Sequence, residues 1–297
     1  MRAFRWIAAI TAFTLPLLLS GCFLLATTRK LPIPVAPDVV QTATPQDLIT
    51  QINDRWEKLQ TLNATVDIQL SVTKSQQGVA TNYTSVSSII LLRKPEMLRV
   101  YGKVPLLGTR MFDMVSDGKK FTLWIPSRNK AIEGSTTSTK KSANQMENLR
   151  PEFFFDAMVV RGVEADDDYS VAGDSETIED AKHKRLLLTP EYVLSIMRRR
   201  EGTHELMPAR VLTIHRDDLL PYQQDLYDKD GTLVTQVNYS NYQKYDFGMY
   251  PGTIVIKRPL EDIQLTLTVE KVSENLPLTD DQFTVKPTAG TEIQSLE

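Results

Sequence analysis

The sequence has little cysteine and histidine: its 297 residues include one Cys and three His. A single cysteine excludes a disulfide within the chain and a metal cluster built on several cysteines. His183, His204 and His215 lie in separate segments without metal-ligand spacing, so no metal site is predicted. A Gly-x-Ser-x-Gly motif, a P-loop and a dinucleotide fingerprint are also missing. These absences favour a protein that is not an enzyme and has no cofactor.

Positive charge is not in excess either. The chain has 34 Lys and Arg against 37 Asp and Glu, a formal net charge of −3. Residues 1–21 contain Arg2 and Arg5 and no acid, so a chain that began at Cys22 would carry −5. Nucleic acid requires a basic protein surface, so no nucleic-acid partner is predicted.

The amino terminus has the composition of a signal peptide. Two arginines precede an apolar run from Trp6 to Leu19, which at about 14 residues is shorter than the roughly 20 that span a bilayer. The run ends in Leu19-Ser-Gly-Cys22, which resembles the bacterial lipobox. The resemblance implies cleavage before Cys22, a diacylglycerol on its sulfur and an acylated amine. An ordinary signal peptide with an incidental cysteine is the alternative.

The residues after the cysteine indicate which membrane would hold the protein and how far from it the folded part would lie. In Gram-negative bacteria an Asp after the lipidated Cys resembles an inner-membrane retention signal, and here the residue is Phe23. Phe23 therefore favours the outer membrane, with the protein facing the periplasm. Residues 22–43 contain Pro32, Pro34 and Pro37 and predict an extended tether.

An amphipathic helix is predicted after the tether. Thr44 is a suitable N-cap, Pro45 suits the first helical position, and Asp47 places an acid in the first turn. An apolar stripe then continues at helical spacing to about Leu62, through Leu48, Ile52, Trp56 and Leu59. The stripe is expected to pack on a sheet, and the pattern leaves open whether it also lines a ligand cavity.

The rest of the chain predicts strands. Residues 63–77 alternate between apolar and polar side chains, which is typical of a half-buried strand. Four apolar runs between Val86 and Pro126, broken by Gly and Pro, predict an antiparallel meander with a hairpin turn at Asp117-Gly118. Both faces of this meander carry apolar groups, so protein or an apolar ligand must cover each. Further strands are predicted over residues 186–188, 192–196, 209–214, 224–227, 233–239, 253–256 and 263–269.

The order of these elements resembles the LolA/LolB group of bacterial lipoprotein carriers and acceptors. Lys94-Pro95 matches a basic residue before Pro, and Ser116-Asp-Gly-Lys119 matches a hairpin that continues to Trp124 and Pro126. Residues 104–108, Val-Pro-Leu-Leu-Gly, are similar to the Pro-Leu-Gly loop of the acceptors with one extra Leu. Residues 150–162 resemble the acceptors' inner helix.

The resemblance implies a mainly β, α+β fold over residues 44–288, followed by a flexible tail over 289–297. Its sheet is strongly curved and antiparallel, an unclosed β-barrel with helices across the concave side and an apolar cavity for acyl chains. The residues expected to line that cavity are Trp56, Trp124, Phe153, Phe154 and Met158. Core packing alone is the alternative for the aromatic residues of the second helix.

Two further positions follow from the resemblance. Leu106, or Leu107 given the extra residue, corresponds to an exposed leucine that inserts into the membrane surface, and a plain turn with a buried leucine is the alternative. Lys94 corresponds to an arginine of the soluble carrier that helps to hold its lid. A lysine cannot make the same forked hydrogen bonds, and the alternative is a solvated lysine at a strand end.

The sequence therefore predicts a lipid-anchored envelope protein that binds acyl chains of lipoproteins or phospholipids and transfers them to the membrane. The predicted partners are the membrane, through lipidated Cys22, the acyl chains themselves and a periplasmic carrier protein. A docking or stress-sensing lipoprotein that uses the same fold without lipid transfer is the alternative.

Overall fold

The computed structural model describes residues 33–37, 39–74, 79–104, 108–136, 138, 140, 142, 145–180 and 185–296. The predicted signal peptide, Cys22, Leu106 and Leu107 lie outside the described residues. The chain divides into a smaller unit, residues 1–36 with 177–188, and a larger unit, residues 37–176 with 189–297.

The described residues of the smaller unit include a parallel bridge between Val35 and Leu187. The N–H of Val35 donates to the carbonyl of Leu186 at 2.8 Å, and the N–H of Leu188 donates to the carbonyl of Val35 at 2.9 Å. One residue of the predicted tether therefore takes part in strand pairing.

The larger unit is built on an extensive β-sheet. The helices and strands of the described chain, in order, are α1 (Pro45–Lys58), β1 (Thr61–Lys74), β2 (Val79–Asn82), β3 (Val86–Arg93), β4 (Met97–Lys103), β5 (Arg110–Ser116), β6 (Lys120–Ile125), β7 (Lys130–Ser135), α2 (Pro151–Met158), β8 (Asp168–Asp180), β9 (Arg185–Arg199), β10 (Leu206–His215), β11 (Pro221–Tyr227), β12 (Leu233–Tyr245), β13 (Gly248–Arg258), β14 (Ile263–Glu274) and β15 (Glu292–Ser295). The ends of β8 and β9 belong to the smaller unit.

Neighbouring strands follow the order β15-β7-β6-β5-β4-β3-β1-β14-β13-β12-β11-β10-β9-β8, and β2 pairs with β1 beside this path. Where the register is defined, the pairs are antiparallel, except that β15 runs parallel to β7. Within the described residues no pairing joins β15 to β8, so the curved sheet is not closed. This confirms the predicted fold class, a mainly β protein with an unclosed antiparallel sheet.

Helix α1 begins as predicted and ends earlier. The hydroxyl of Thr44 accepts from the N–H of Asp47 at 3.2 Å, and the Asp47 carboxylate accepts from the N–H of Thr44 at 2.8 Å, which completes a capping box. The helix ends at Lys58, and Leu62 lies in β1, fully buried. Pairing with β3 on one side and β14 on the other satisfies the backbone of β1 around Leu62, so the strand is favoured over a longer helix.

The predicted meander is present as β3 to β6. Gly118, at the turn between β5 and β6, has a φ of 89°, a conformation that glycine adopts without strain. The runs over 186–188 and 192–196, predicted as separate strands, form the single strand β9. The strand continues through Pro190 because its carbonyl accepts a hydrogen bond from the N–H of Arg216 at 2.9 Å, although proline has no N–H to donate.

The larger unit has two clusters of buried apolar side chains. The larger cluster joins the sheet to α2, where Phe153, Phe154 and Phe155 are all nearly inaccessible. The smaller cluster joins α1 to β9 and β10, through Leu48, Ile49, Tyr192, Leu194, Ile196, Leu212 and Ile214. Burial of each large apolar side chain contributes about 1.5–3 kcal/mol, so both clusters stabilise the fold.

In the part of the chain that the structure describes, no helix is both long enough and apolar enough to cross a membrane.

Candidate functional site

An apolar groove of about 650 Å³ lies between α1 and the strands β10 to β13. Its walls include Ile52, Trp56, Met158, Tyr239, Tyr242 and Met249. The volume falls within the range of small-molecule pockets, about 300–1,000 Å³. Met249 is 42% exposed, so the groove reaches the protein surface.

The groove follows from the way α1 is held. Leu48, near the start of the helix, is 1% exposed and belongs to the smaller core cluster, whereas Leu59, just after its end, is 4% exposed and belongs to the larger one. Ile52 and Trp56, between them on the same stripe, are only half-buried and line the groove. The protein therefore covers the two ends of the apolar stripe and leaves its middle open.

The opposite wall comes from the β12–β13 hairpin, which carries five aromatic residues between Tyr239 and Tyr250. The ring centroids of Tyr245 and Phe247 stack 5.4 Å apart, and the ring of Tyr250 meets that of Phe247 edge-on at 6.1 Å. The sequence alone predicts no site residue in this hairpin. The signal that identifies this wall is the density of aromatic residues around one turn.

The phenols of this wall are hydrogen-bonded within the protein. The hydroxyl of Tyr250 donates to the carbonyl of Met158 at 2.8 Å, and that of Tyr242 donates to the carbonyl of Pro221. The hydroxyl of Tyr239 accepts from Gln224 Nε2 at 3.4 Å. Burial raises the pKa of all three phenols, so they stay neutral at physiological pH and the wall is uncharged.

One ion pair borders the groove. Arg55 Nη1 donates to Glu274 Oε2 at 3.0 Å, and the guanidinium lies 5.0 Å from the centroid of the Phe247 ring. Burial raises the pKa of Glu274, and the hydrogen bond and charge of Arg55 oppose that rise. The charged residues of the groove lining, this pair together with Asp47, Asp54 and Lys58, all lie on α1 or at the end of β14.

The structure brings together two of the five residues expected to line the cavity, since Trp56 and Met158 both contribute to the groove walls. Phe153 and Phe154 are 3% and 1% exposed within the larger core cluster, and the guanidinium of Arg258 lies 4.0 Å from the centroid of the Phe153 ring. These two phenylalanines lie outside the groove walls because the short α2 is enclosed on most sides by the core.

Trp124 also lies outside the groove walls. It is half-buried on β6, opposite Asp113 of β5 and Ala131 of β7 in the sheet register. Its position in the sheet is therefore remote in strand order from β10 to β13, which form the groove wall.

Lys94 lies against α1. Its Nζ donates to the carbonyl of Trp56 at 2.7 Å and lies 4.2 Å from the centroid of the Trp56 ring. Carbonyls in the last turn of a helix lack intrahelical partners and attract cations. Burial lowers the pKa of Lys94, and the charge of Glu57 opposes this effect. Lys94 thus holds the carboxyl end of a helix that forms one wall of the groove.

Gly162 allows the chain after α2 to approach the same tryptophan. A Cβ at this position would lie 2.8 Å from Trp56 Cδ1, closer than real Cβ atoms approach other atoms. Glycine is therefore required here by space, and the segment from Val159 to Gly162 fits against α1.

Among the described residues, no group of three or more His, Cys, Asp or Glu side chains is placed to hold a metal ion.

Comparisons with known proteins agree with this geometry at the level of the fold. A LolA superfamily protein from Nitrosomonas europaea aligns with a TM-score of 0.50 and 15% identity, over 82% of this chain and 99% of that one. A DUF1329 family protein from Desulfovibrio piger aligns with a TM-score of 0.52 and 17% identity, over 80% of this chain and 95% of that one. A search of curated protein sequences found no match.

The structural likeness confirms the LolA/LolB-like fold that the order of motifs predicts. Residues 107–287, more than half of the chain, match a family described as "uncharacterized protein", and the chain belongs to this family.

Proposed function

We propose that the groove binds acyl chains of lipoproteins or phospholipids, and that the protein passes them to a membrane without chemical change. The observation that carries this proposal is the half-covered apolar stripe of α1: Ile52 and Trp56 face an uncharged aromatic wall across a space of about 650 Å³. A hydrocarbon chain would complete the burial that the protein leaves unfinished.

The expected strength of binding suits a carrier. Each buried methylene contributes about 0.8 kcal/mol, so ten methylenes contribute about 8 kcal/mol before the entropic cost of binding is subtracted. A net binding free energy smaller in magnitude than about 8 kcal/mol corresponds to a micromolar or weaker dissociation constant. Cargo would thus be held and still exchange with a membrane.

The proposal includes an anchor and a route. Lipidated Cys22 would hold the protein at the periplasmic face of the outer membrane, and Leu106 or Leu107 would insert into the bilayer surface during transfer. Lys94 would hold α1, one wall of the groove, in place. Its hydrogen bond to the carbonyl of Trp56 supports this role. A soluble periplasmic carrier would supply the cargo.

A matched pair of variants tests the groove. Met249, in the groove wall, is 42% exposed, and Leu276, outside it, is 45% exposed. We expect Met249→Asp to weaken binding of a fluorescent fatty acid by about tenfold or more, because a carboxylate would face the chain. Leu276→Asp should bind like the parent protein.

Bound lipid gives a second readout. The Cys22→Ala protein, purified in folded form, should carry lipid that native mass spectrometry detects. A folded protein that carries no lipid and binds no fatty acid would contradict the proposal and favour a docking or stress-sensing lipoprotein.

A further inference from the structure

A second, polar cavity of about 360 Å³ adjoins the groove. Val159, the C-cap residue of α2, lines both spaces. Gln224, in the wall of the polar cavity, also donates a hydrogen bond to Tyr239 in the wall of the groove. The two spaces are therefore neighbours, with Val159 in the walls of both.

Two of the three arginines in this cavity have carboxylate partners. Arg161 Nε donates to Asp156 Oδ1 at 2.5 Å, and its Nη1 donates to Glu96 Oε1 at 3.2 Å. Arg198 Nε donates to Asp167 Oδ1 at 2.9 Å. These ion pairs neutralise both cations within the protein.

Arg210, the third arginine, is different. It is 7% exposed, and its guanidinium donates to the main-chain carbonyls of Arg161 at 2.6 Å and Gly162 at 3.0 Å. In the part of the chain that the structure describes, no carboxylate forms an ion pair with it. Burial lowers the pKa of Arg210 to about 10, and the charges of Asp156 and Asp167 oppose this effect, so the cation persists at physiological pH with its desolvation only partly compensated. An anion bound against Arg210 would offset this cost.

Gln224 provides an unused acceptor in the same cavity. The residue is 1% exposed, and its Nε2 donates to the carbonyl of Asp156 at 2.7 Å. Its Oε1 is buried and has no hydrogen-bond partner among the described residues. Buried acceptors are nearly always satisfied, so this oxygen is a place for an N–H or O–H donor from a ligand.

The charge of the cavity selects among ligands. Its four carboxylates exceed its three arginines within the described lining. Two of the carboxylates, Glu96 and Glu164, have side chains 45% and 68% exposed, so they border the opening. A purely anionic ligand would be repelled by this excess, whereas a ligand with both an anion and a cationic N–H donor matches the whole set.

We propose that the polar cavity binds a zwitterionic group, with its anion on Arg210 and its protonated amine between Gln224 Oε1 and the carboxylates at the opening. Because Val159 adjoins both spaces, we assign this group to the headgroup of the amphiphile whose chain occupies the groove, and phosphoethanolamine has the required chemistry. This inference rests on the proposed function.

Wild-type protein alone provides the first test. Lysophosphatidylethanolamine and lysophosphatidylcholine of equal chain length share the phosphate and the chain, but the choline has no N–H donor. We expect the ethanolamine lipid to bind about tenfold more tightly by isothermal titration calorimetry, since one charge-assisted hydrogen bond separates the two.

Substitutions provide the second test. Arg210→Gln should weaken binding of the ethanolamine lysolipid by about tenfold or more and leave binding of a long-chain alcohol unchanged. Gln224→Met should remove the preference for ethanolamine over choline. Arg199→Gln is the control, because Arg199 is 54% exposed, pairs with Asp168 and lies outside the cavity walls.

The outcomes separate the two proposals. Equal binding of both lysolipids, with the alcohol still bound, would overturn the headgroup inference and leave the proposed function intact. Failure of the wild-type protein to bind any chain would overturn the proposed function. If free phosphoethanolamine bound as tightly as the lysolipid, the cavity would serve a small zwitterion, and the assignment to a lipid would be overturned.

Discussion

At the scale of single residues, the groove depends on polar side chains that hold apolar ones in place. Lys94 is the clearest example, because its ammonium reaches the last turn of α1 and the face of Trp56 at the same time. The Lys94-Pro95 motif in the sequence identified this lysine, and the structure shows that it contacts Trp56. A solvated strand-end lysine would make neither interaction.

Replacement of Lys94 tests this contact. Lys94→Met should lower the free energy of unfolding by about 1–2 kcal/mol, because a charged hydrogen bond and a cation–π contact are lost. Urea unfolding measures the loss, and faster amide exchange in α1 than in the sheet would locate it. Lys271→Met, at an exposed position of β14, is the control and should change little. An equal loss of unfolding free energy in both variants would contradict the role assigned to Lys94.

Glu152 predicts a pH dependence of stability. Burial raises its pKa from 4.5 to about 7, although Arg258 and Arg150 oppose the rise, and its Oε2 has no hydrogen-bond partner among the described residues. Between these pH values the folded protein keeps a proton that the unfolded chain releases. The free energy of unfolding should therefore fall by up to about 3 kcal/mol as pH rises from about 4.5 to 7.

Glu152→Gln should remove this decrease and make the protein more stable than wild type at about pH 8. Denaturant midpoints at about pH 5 and pH 8 measure the difference. Glu270→Gln, at an exposed position, should keep the wild-type slope. If Glu152→Gln kept that slope as well, the ionisation of Glu152 would not be its source.

At the scale of elements, the start of a helix is easier to predict than its end. The capping box of α1 joins residues three positions apart, so Thr44, Pro45 and Asp47 specify the start through local contacts. The end depends on strands far away in the sequence, which pair with β1 on both sides and draw Leu62 out of the helix. The residues near the end of the helix do not indicate which distant strands will pair with β1.

Removal of the cap should loosen α1. Thr44→Ala should lower the free energy of unfolding by about 1 kcal/mol, because the N–H of Asp47 loses its acceptor. Thr50→Ala, within the same helix and exposed, should be neutral or slightly stabilising, since Ala favours helices. Thermal unfolding of both variants measures the contrast, and an equal loss in both would argue against the cap.

At the scale of the whole molecule, the proposed transport requires attachment to a membrane. Cys22 is the only cysteine in the sequence, so no other thiol is available for a thioether to lipid. Cys22→Ala should remove incorporation of a palmitate label and move the protein from the membrane fraction to the soluble fraction. Ser20→Ala, which the lipobox accepts, should behave like wild type. Label retained by Cys22→Ala would exclude the predicted anchor.

The position of the cavity was only partly predictable. The apolar stripe of α1 was visible in the sequence, and so was the apolar character of Phe153 and Phe154. An apolar side chain lowers its free energy equally well against protein or against a hydrocarbon ligand, so the pattern does not distinguish core from cavity. The aromatic residues between Tyr239 and Tyr250 likewise could have packed in the core or lined a cavity.

Residue patterns alone determined the class of fold, the start of α1, the turn at Asp117-Gly118 and the likeness to the LolA/LolB group. Each of these depends on neighbours within a few positions or on the order of motifs along the chain. Only the tertiary structure decided that α2 is enclosed, that Ile52 and Trp56 remain half-covered, and that Arg210 is buried without an ion pair to any carboxylate of the described residues. Those properties depend on which distant segments meet, and the free energy of packing, rather than local spacing, selects them.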